Sequence, residues 1–338
     1  MEERMNDKVL LAHGSGGRLS HDLIEKYFMP RLDNPILNRL DDSAVLEMKG
    51  RIAFTTDSYI IKPVFFPGGD IGRLAVCGTI NDLSTSGAVP KYLSLGLIIE
   101  EGLPIADLED IMASVSETAK EAGVFVVTGD TKVVDHGSAD GIFINTSGIG
   151  IIPEDIDISG ANAKDGDKVI ISGTIGDHGI TVMAQREGLK FTVPVESDCA
   201  PLNGLVSDIL KVSANIHCLR DPTRGGLATT LIELASQSGV GIQIYEDKIP
   251  VRDAVRGMCE ILGFDPLYIA NEGKMVIIAG PEDADIIIDI LRKNRYGGDA
   301  AVIGEVTSQQ KGRVVLKTGL GSSRIVDMPA GDLLPRIC

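Results

Sequence analysis

Pro153-Glu-Asp-Ile-Asp-Ile-Ser-Gly-Ala-Asn-Ala-Lys-Asp-Gly-Asp167 divides the chain near its middle. The stretch is rich in Asp, Gly and Pro and carries neither helical nor strand periodicity, so it reads as a connection between two folded units. On its C-terminal side an apolar strand pattern restarts at 168–172. Helical patterns follow at 179–186, 203–212, 226–237, 251–262 and 281–294, with strands at 241–245, 275–279 and 300–306. On its N-terminal side a short helix at 20–29, with Ser20 as N-cap, precedes strands at 44–47 and 51–56. A helix at 70–87, a strand at 92–100, a helix opened by Pro104 and closed by Gly123, and strands at 124–128 and 142–149 complete that half. Both halves mix strands and helices, so the fold class is α/β or α+β in two domains, which suits 338 residues. The expected division is 1–36 as an arm with a glycine loop, 37–153 as the first domain, 154–318 as the second and 319–338 as a mobile tail.

The tail draws attention because its last residue is Cys338. Its twenty residues contain three glycines, two serines and two prolines, a composition that favours turns and extended chain. A thiol on such a tether can be loaded at one place and processed at another. A prenylated end is not expected, because the fourth position from the end is Pro335.

Five cysteines (77, 199, 218, 259 and 338) show no CxxC and no metal-knuckle spacing. The odd number, without a signal peptide, points to a reducing compartment, and no run approaches the ~20 apolar residues of a membrane span. The expectation is a cytoplasmic protein. The net charge of −16 disfavours nucleic acid as a partner. It also means that a bound nucleotide needs divalent cation between its phosphates and the protein's carboxylates. An unscreened pair of such charges ~4 Å apart costs about 4 kcal/mol at an effective dielectric of 20.

Carboxylates stand beside small or hydroxyl residues in five segments: Asp41-Asp42-Ser43-Ala44, Thr55-Thr56-Asp57-Ser58, Asn81-Asp82-Leu83-Ser84, Gly129-Asp130-Thr131-Lys132 and Asp221-Pro-Thr-Arg-Gly-Gly226. Each of them taken singly is as well explained by helix capping or turn formation. Together they form an oxygen-donor set suited to magnesium, a hard cation. No GxxxxGK[ST] loop occurs, and the glycine loop His13-Gly-Ser-Gly-Gly-Arg18 lacks the third glycine of a dinucleotide turn.

These segments, with Val169-Ile-Ile-Ser-Gly-Thr-Ile-Gly-Asp-His178, Asn271-Glu272-Gly273 and the Pro-Arg-Ile-Cys338 ending, resemble the aminoimidazole ribonucleotide synthetase and selenophosphate synthetase superfamily. Within it the chain is similar to the HypE family of carbamoyl dehydratases, over essentially its whole length. That resemblance implies an ATP-using, magnesium-dependent homodimer whose N-terminal sheet or barrel pairs with a second copy. It implies a terminal cysteine that receives a carbamoyl group from the carbamoyltransferase HypF. ATP-dependent dehydration then makes a thiocyanate for transfer to HypC and HypD, as the cyanide source of [NiFe]-hydrogenase. By correspondence it assigns Asp42, Asp57, Asp82 and Asp221 to metal, and Asp130, Thr131 and Lys132 to the phosphates. Removing the nitrogen protons needs a base, for which Glu272 is the first choice and His13 and His136 are alternatives. His178 reads as a loop-shaping residue, and the four other cysteines as structural.

Two other readings stay open at this level. A selenophosphate synthetase or small-molecule kinase would share the aspartates, but the first should carry a reactive Cys in its glycine loop, and the first cysteine here is Cys77. A non-catalytic scaffold with Cys338 as a docking residue would have no need of the aspartate set and Lys132.

Overall fold

The computed structural model describes residues 8–15, 17–41, 43–189, 194–329 and 337. In chain order the elements of the first half are α1 (Arg18–Leu23), a π-helical turn (Ile24–Phe28), α2 (Met29–Leu32), β1 (Arg51–Tyr59), β2 (Phe65–Phe66), β3 (Gly69–Asp70), α3 (Ile71–Thr85), β4 (Val89–Glu100), α4 (Ile105–Ala122), β5 (Phe125–Val134) and β6 (Ile142–Ile152). The second half contains β7 (Lys168–Ile171), α5 (Asp177–Arg186), α6 (Asn203–Leu210), β8 (Ile216–Arg220), α7 (Gly226–Ser238), β9 (Gly241–Tyr245), α8 (Asp253–Leu262), β10 (Val276–Ala279), α9 (Ala284–Lys293), β11 (Ala301–Thr307), β12 (Val314–Lys317) and β13 (Ser323–Val326).

The first domain is a four-stranded sheet in the order β1-β6-β4-β5 with α3 and α4 on one face. Strand alternation sends Leu93, Leu95, Leu97, Ile142 and Ile144 into that helical core. Asp70 caps α3 by accepting from Gly72 N at 2.7 Å and Arg73 N at 3.1 Å, and Ser114 Oγ holds its other oxygen. The opposite face carries a row formed by Phe54, Ile149, Tyr92 and Phe125 across all four strands. Phe54 is 69% and Phe125 52% exposed.

The second domain is a seven-stranded sheet in the order β13-β12-β9-β11-β7-β10-β8, antiparallel except for β12 with β9. Helices cover both faces through two apolar cores, one containing α7 residues and the other α6 and α9 residues. Among the described residues no helix is long and apolar enough to cross a membrane.

Three expectations need correction. Residues 44–47 form no strand: Ala44 and Leu46 are partly buried and Val45 is exposed, but no described strand pairs with them. The boundary at 318/319 cuts a hairpin, because β13 pairs with β12 and its Val326 is buried in the domain core. The described chain continues past it, where Tyr268 Oη donates to Asp327 O at 2.8 Å. Strand β8 was not expected, since Ile216-His-Cys-Leu-Arg220 is short and its polar residues, His217 and Arg220, do not follow a strand's alternation.

Candidate active site

Four carboxyl groups from both domains meet around one cavity of about 200 Å³. Strand β1 supplies Asp57, helix α3 supplies Asp82, the loop after β8 supplies Asp221, and the loop before β10 supplies Glu272. Thr55 Oγ1 donates to Asp82 Oδ2 at 2.8 Å, which fixes the Asp82 carboxyl toward β1. The Ser58 amide donates to Asp57 Oδ1 at 2.8 Å, and Arg224 Nη2 lies 4.0 Å from the same oxygen. Gly78 lines the cavity, and Gly226 lets the Asp221 loop turn behind it. A Cβ at Gly78 would stand 2.2 Å from Tyr59 Oη, and one at Gly226 (φ +61) 2.6 Å from the Ile269 and Leu267 carbonyls. The sequence thus spends glycine where helix meets strand and where the Asp221 loop turns into α7.

The cavity carries more negative charge than its neighbours offset. Burial, followed by the charges of Asp82 and Asp57, pushes Asp221 up to about 7. Burial likewise raises Asp82, opposed by the Thr55 hydrogen bond and reinforced by Asp57. Glu272 is 3% exposed and is held well above the usual carboxylate range, first by burial and then by Cys199, Asp198, Asp221 and Asp57. Its Oε1 has no hydrogen-bond partner among the described residues. Its backbone is tightly fixed. The Glu272 amide donates to Asp198 Oδ1 at 3.0 Å, and its carbonyl accepts from Asn81 Nδ2 at 3.2 Å.

Asp130, Thr131 and Lys132 lie elsewhere. Asp57 faces the helical core, opposite buried Thr146 on β6, whereas Asp130 pairs with Gly96 and Lys132 with exposed Ile98 on the other face of the sheet. Strands β1 and β5 are the two edges, three spacings or ~14 Å apart. A single chain therefore does not bring Lys132 to Glu272. Lys132 Nζ instead donates to Asp130 Oδ1 at 2.9 Å, which holds that carboxyl below its ordinary range. This group borders a mainly apolar cavity of about 330 Å³ under the N-terminal helical segment, with His13, Gly14, Phe28 and Leu97 among its walls.

Asp42 and Cys338 fall outside the described residues. The alternative bases are both remote from the acidic cavity: His13 lines the apolar one, and exposed His136 pairs with Glu100 at 3.0 Å beyond β5. Glu272 lies in a loop, yet it is buried against groups from both domains rather than solvated. Sequence reasoning missed Asn81 and Asp198 as the groups that fix Glu272. Asn81 stood inside a quoted motif and was passed over for its acidic neighbour, whereas no motif marks Asp198.

Among the described residues, no three His, Cys, Asp or Glu side chains surround one point as a metal ion requires. The chemistry of the cavity nevertheless fits a divalent cation. Its donors are all oxygen, the carboxyls raise one another's proton affinity, and one buried oxygen lacks a partner.

Comparison with known proteins gives this geometry a lineage. Residues 40–152 match the N-terminal domain of AIR synthase related proteins, and residues 164–317 match the C-terminal domain. The chain is 51% identical over 334 residues to carbamoyl dehydratase HypE of Azotobacter vinelandii, covering 98% of each protein. It superposes with a TM-score of 0.95 on a crystal structure of hydrogenase maturation protein HypE in complex with ATP, at 52% identity, covering 97% of this chain and 99% of that one. A HypE–HypF complex gives a TM-score of 0.81 at 52% identity, over 91% of this chain and 99% of that one. Sequence, fold and the carboxylate-lined cleft agree: the chain belongs to the HypE carbamoyl dehydratase family, within the AIR synthase related proteins.

Proposed function

We propose that this protein uses ATP to dehydrate an S-carboxamide on Cys338 to an S-cyanate, the source of the cyanide ligand in [NiFe]-hydrogenase maturation. The observation that carries the reading is Glu272, a buried carboxyl with an unpartnered oxygen in a cavity walled by three aspartates.

The carboxamide oxygen is a poor leaving group. Its attack on the γ-phosphorus forms a C–O–P linkage, breaks the bond to ADP and releases one nitrogen proton. Loss of the second nitrogen proton, with cleavage of the C–O bond, gives the nitrile and inorganic phosphate. Positioning and charge neutralisation supply most of the catalysis in such a transfer. Asp57, Asp82 and Asp221, with Asp42, would hold magnesium, which screens phosphate from carboxylate. Glu272 takes the nitrogen protons. Burial raises its affinity for a proton, and cations arriving in the cavity favour the ionised form that a base requires.

Lys132 offsets charge on the transferred phosphoryl group, and it comes from a second copy of the chain. Support for this homodimer is the partly exposed apolar row of Phe54, Ile149, Tyr92 and Phe125, continuous with the face that carries Lys132. HypF is the carbamoyl donor, as the HypE–HypF complex of a relative suggests, and HypC with HypD accepts the cyano group.

Intact mass spectrometry of the carbamoylated chain, with and without ATP, tests the reading. Loss of one water only with ATP is expected, and Cys338→Ser should accept no carbamoyl group. A carbamoylated chain that keeps its mass through ATP hydrolysis would refute it.

A further inference from the structure

His178 opens helix α5, is fully buried, and uses both ring nitrogens. Nδ1 lies 2.8 Å from Ser197 Oγ, and Nε2 lies 2.7 Å from the carbonyl oxygen of Ile337, the penultimate residue of the chain. The partners settle the tautomer. Ser197 Oγ already accepts the Cys199 amide at 3.1 Å, so its own proton goes to Nδ1. A carbonyl can only accept, so Nε2 carries the hydrogen. Phe66 meets the ring edge-on at 5.4 Å and 88°. Burial lowers the proton affinity of the ring, in keeping with a neutral imidazole that donates through Nε2 and accepts at Nδ1.

Ile337 is itself 2% exposed and belongs to the same apolar core as Phe66, Ile180 and Val195. The seat is therefore built from a side-chain pocket and one directed backbone hydrogen bond. It is also tied to Glu272. Ser197 begins a four-residue segment in which Asp198 Oδ1 accepts the Glu272 amide and the Ala200 amide donates to the Glu272 carbonyl at 3.4 Å. Asn81 clamps the far end by donating to both the Ala200 and Glu272 carbonyls. One short stretch of backbone thus holds the tail's penultimate residue through His178 and Glu272 directly.

We propose that His178, in the Nε2–H tautomer set by Ser197, is the positioning residue that seats the C-terminal tail by its penultimate carbonyl in register with Glu272. The seat recognises main chain rather than the thiol, so it accepts the tail whatever group Cys338 carries. This rests on the dehydration reading above, and it assigns His178 a role in placing the reacting group rather than in moving its protons. A displacement of ~1 Å at a reacting centre costs on the order of a hundredfold in rate, which sets the expected size of the effect.

The test uses full-length chain carbamoylated at Cys338, with His178→Met and His178→Gln as a matched pair. Met has similar length without a donor, and the Gln amide places N–H near the position of Nε2. Single-turnover water loss is followed by mass spectrometry, ATP affinity by calorimetry, and release of the last two residues by carboxypeptidase. Expected results for His178→Met are dehydration slowed about a hundredfold, faster tail release, and ATP affinity within about twofold of wild type. His178→Gln should recover at least about tenfold of the lost rate and much of the protection. Ser197→Ala, which keeps the imidazole but frees its tautomer, should slow dehydration severalfold and serves if the His178 variants fold poorly. Wild-type rate and protection in His178→Met, equal defects in Met and Gln variants, or an unaffected Ser197→Ala would each overturn the proposal. Failure of the wild-type chain to lose water would instead count against the dehydration reading, while carboxypeptidase protection would still report on the seat.

Discussion

Asn81 and Glu272 join the two domains beside the reacting cavity. The Asn81 side chain donates to the Glu272 carbonyl at 3.2 Å and the Ala200 carbonyl at 3.0 Å, and accepts the Leu202 amide at 2.8 Å. A side chain from helix α3 of the first domain thus satisfies three backbone groups of the second, at a position 1% exposed. Its sequence neighbour Asp82 lines the cavity as well, so one turn of helix fixes both a metal-binding candidate and the proposed base. Replacing Asn81 by Ala leaves those backbone groups without their partner, at a cost of about 1–3 kcal/mol. Thermal unfolding should show the loss as a lower midpoint. Dehydration should slow at the same time, because Glu272 loses one of its backbone anchors; an unchanged midpoint and rate would contradict this arrangement.

Asp57→Asn and Asp82→Asn should leave the fold intact and weaken magnesium-dependent ATP binding by about tenfold or more, or ~1.4 kcal/mol. Both positions are partly open to the cavity, so the substitution removes charge without burying an unpaired group. Calorimetric titration of ATP with and without magnesium is the measurement. Metal-independent affinity in the wild type would refute the assignment.

Stability should fall as pH rises across the acidic cavity's titration. Asp221 binds its proton up to about pH 7 in the folded chain but only to near its ordinary 3.8 when unfolded. Between those values the folded state holds more protons than the unfolded one, so each pH step upward favours unfolding. Below the window the carboxyl is protonated in both states and the effect is fully present; above about 7 it is gone. Urea midpoints of Asp221→Asn should therefore change less between pH 5 and pH 8 than those of the wild type. Magnesium should restore part of the wild-type stability at the higher pH, and equal slopes in the two proteins would contradict this account.

Glu272→Gln should bind ATP, accept carbamoyl and lose about a hundredfold or more in dehydration. Lys132→Ala should show a similar rate loss with a smaller effect on ATP affinity. Because Lys132 stands on the face of the first domain's sheet opposite to the one that presents Asp57 to Glu272, the proposed complete site draws Glu272 and Lys132 from different chains. Mixing the two inactive variants under conditions of subunit exchange should then recover about a quarter of wild-type activity, since half the dimers are mixed and each holds one intact site. Absence of recovery in verified mixed dimers would place both residues in one chain's site.

Much of the fold was legible before any coordinates. Periodicity located α4 between Pro104 and Gly123 to within a residue, because proline pre-sets the first turn and Gly123 (φ +71) ends the helix without strain. The connection at 153–167 was recognisable for the same local reason. Strand β8 was not, since burial on a sheet edge depends on partners far away in sequence. The hairpin of β12 with β13 was hidden in a glycine- and serine-rich stretch whose ordering comes from pairing with the sheet.

The sequence by itself determined the chemistry available: the aspartate set, Lys132, Glu272 and a terminal thiol, all readable because each is a residue type in a local motif. Only the tertiary structure decided how they are grouped. Strand alternation and sheet order put Asp57 and Lys132 on opposite faces and at opposite edges, which no single segment reveals. Burial pushed the Glu272 carboxyl well above the usual carboxylate range, because desolvation depends on residues brought together from both domains. The link from His178 to Ile337 spans 159 positions of sequence and exists only where the folded chain returns its end to helix α5.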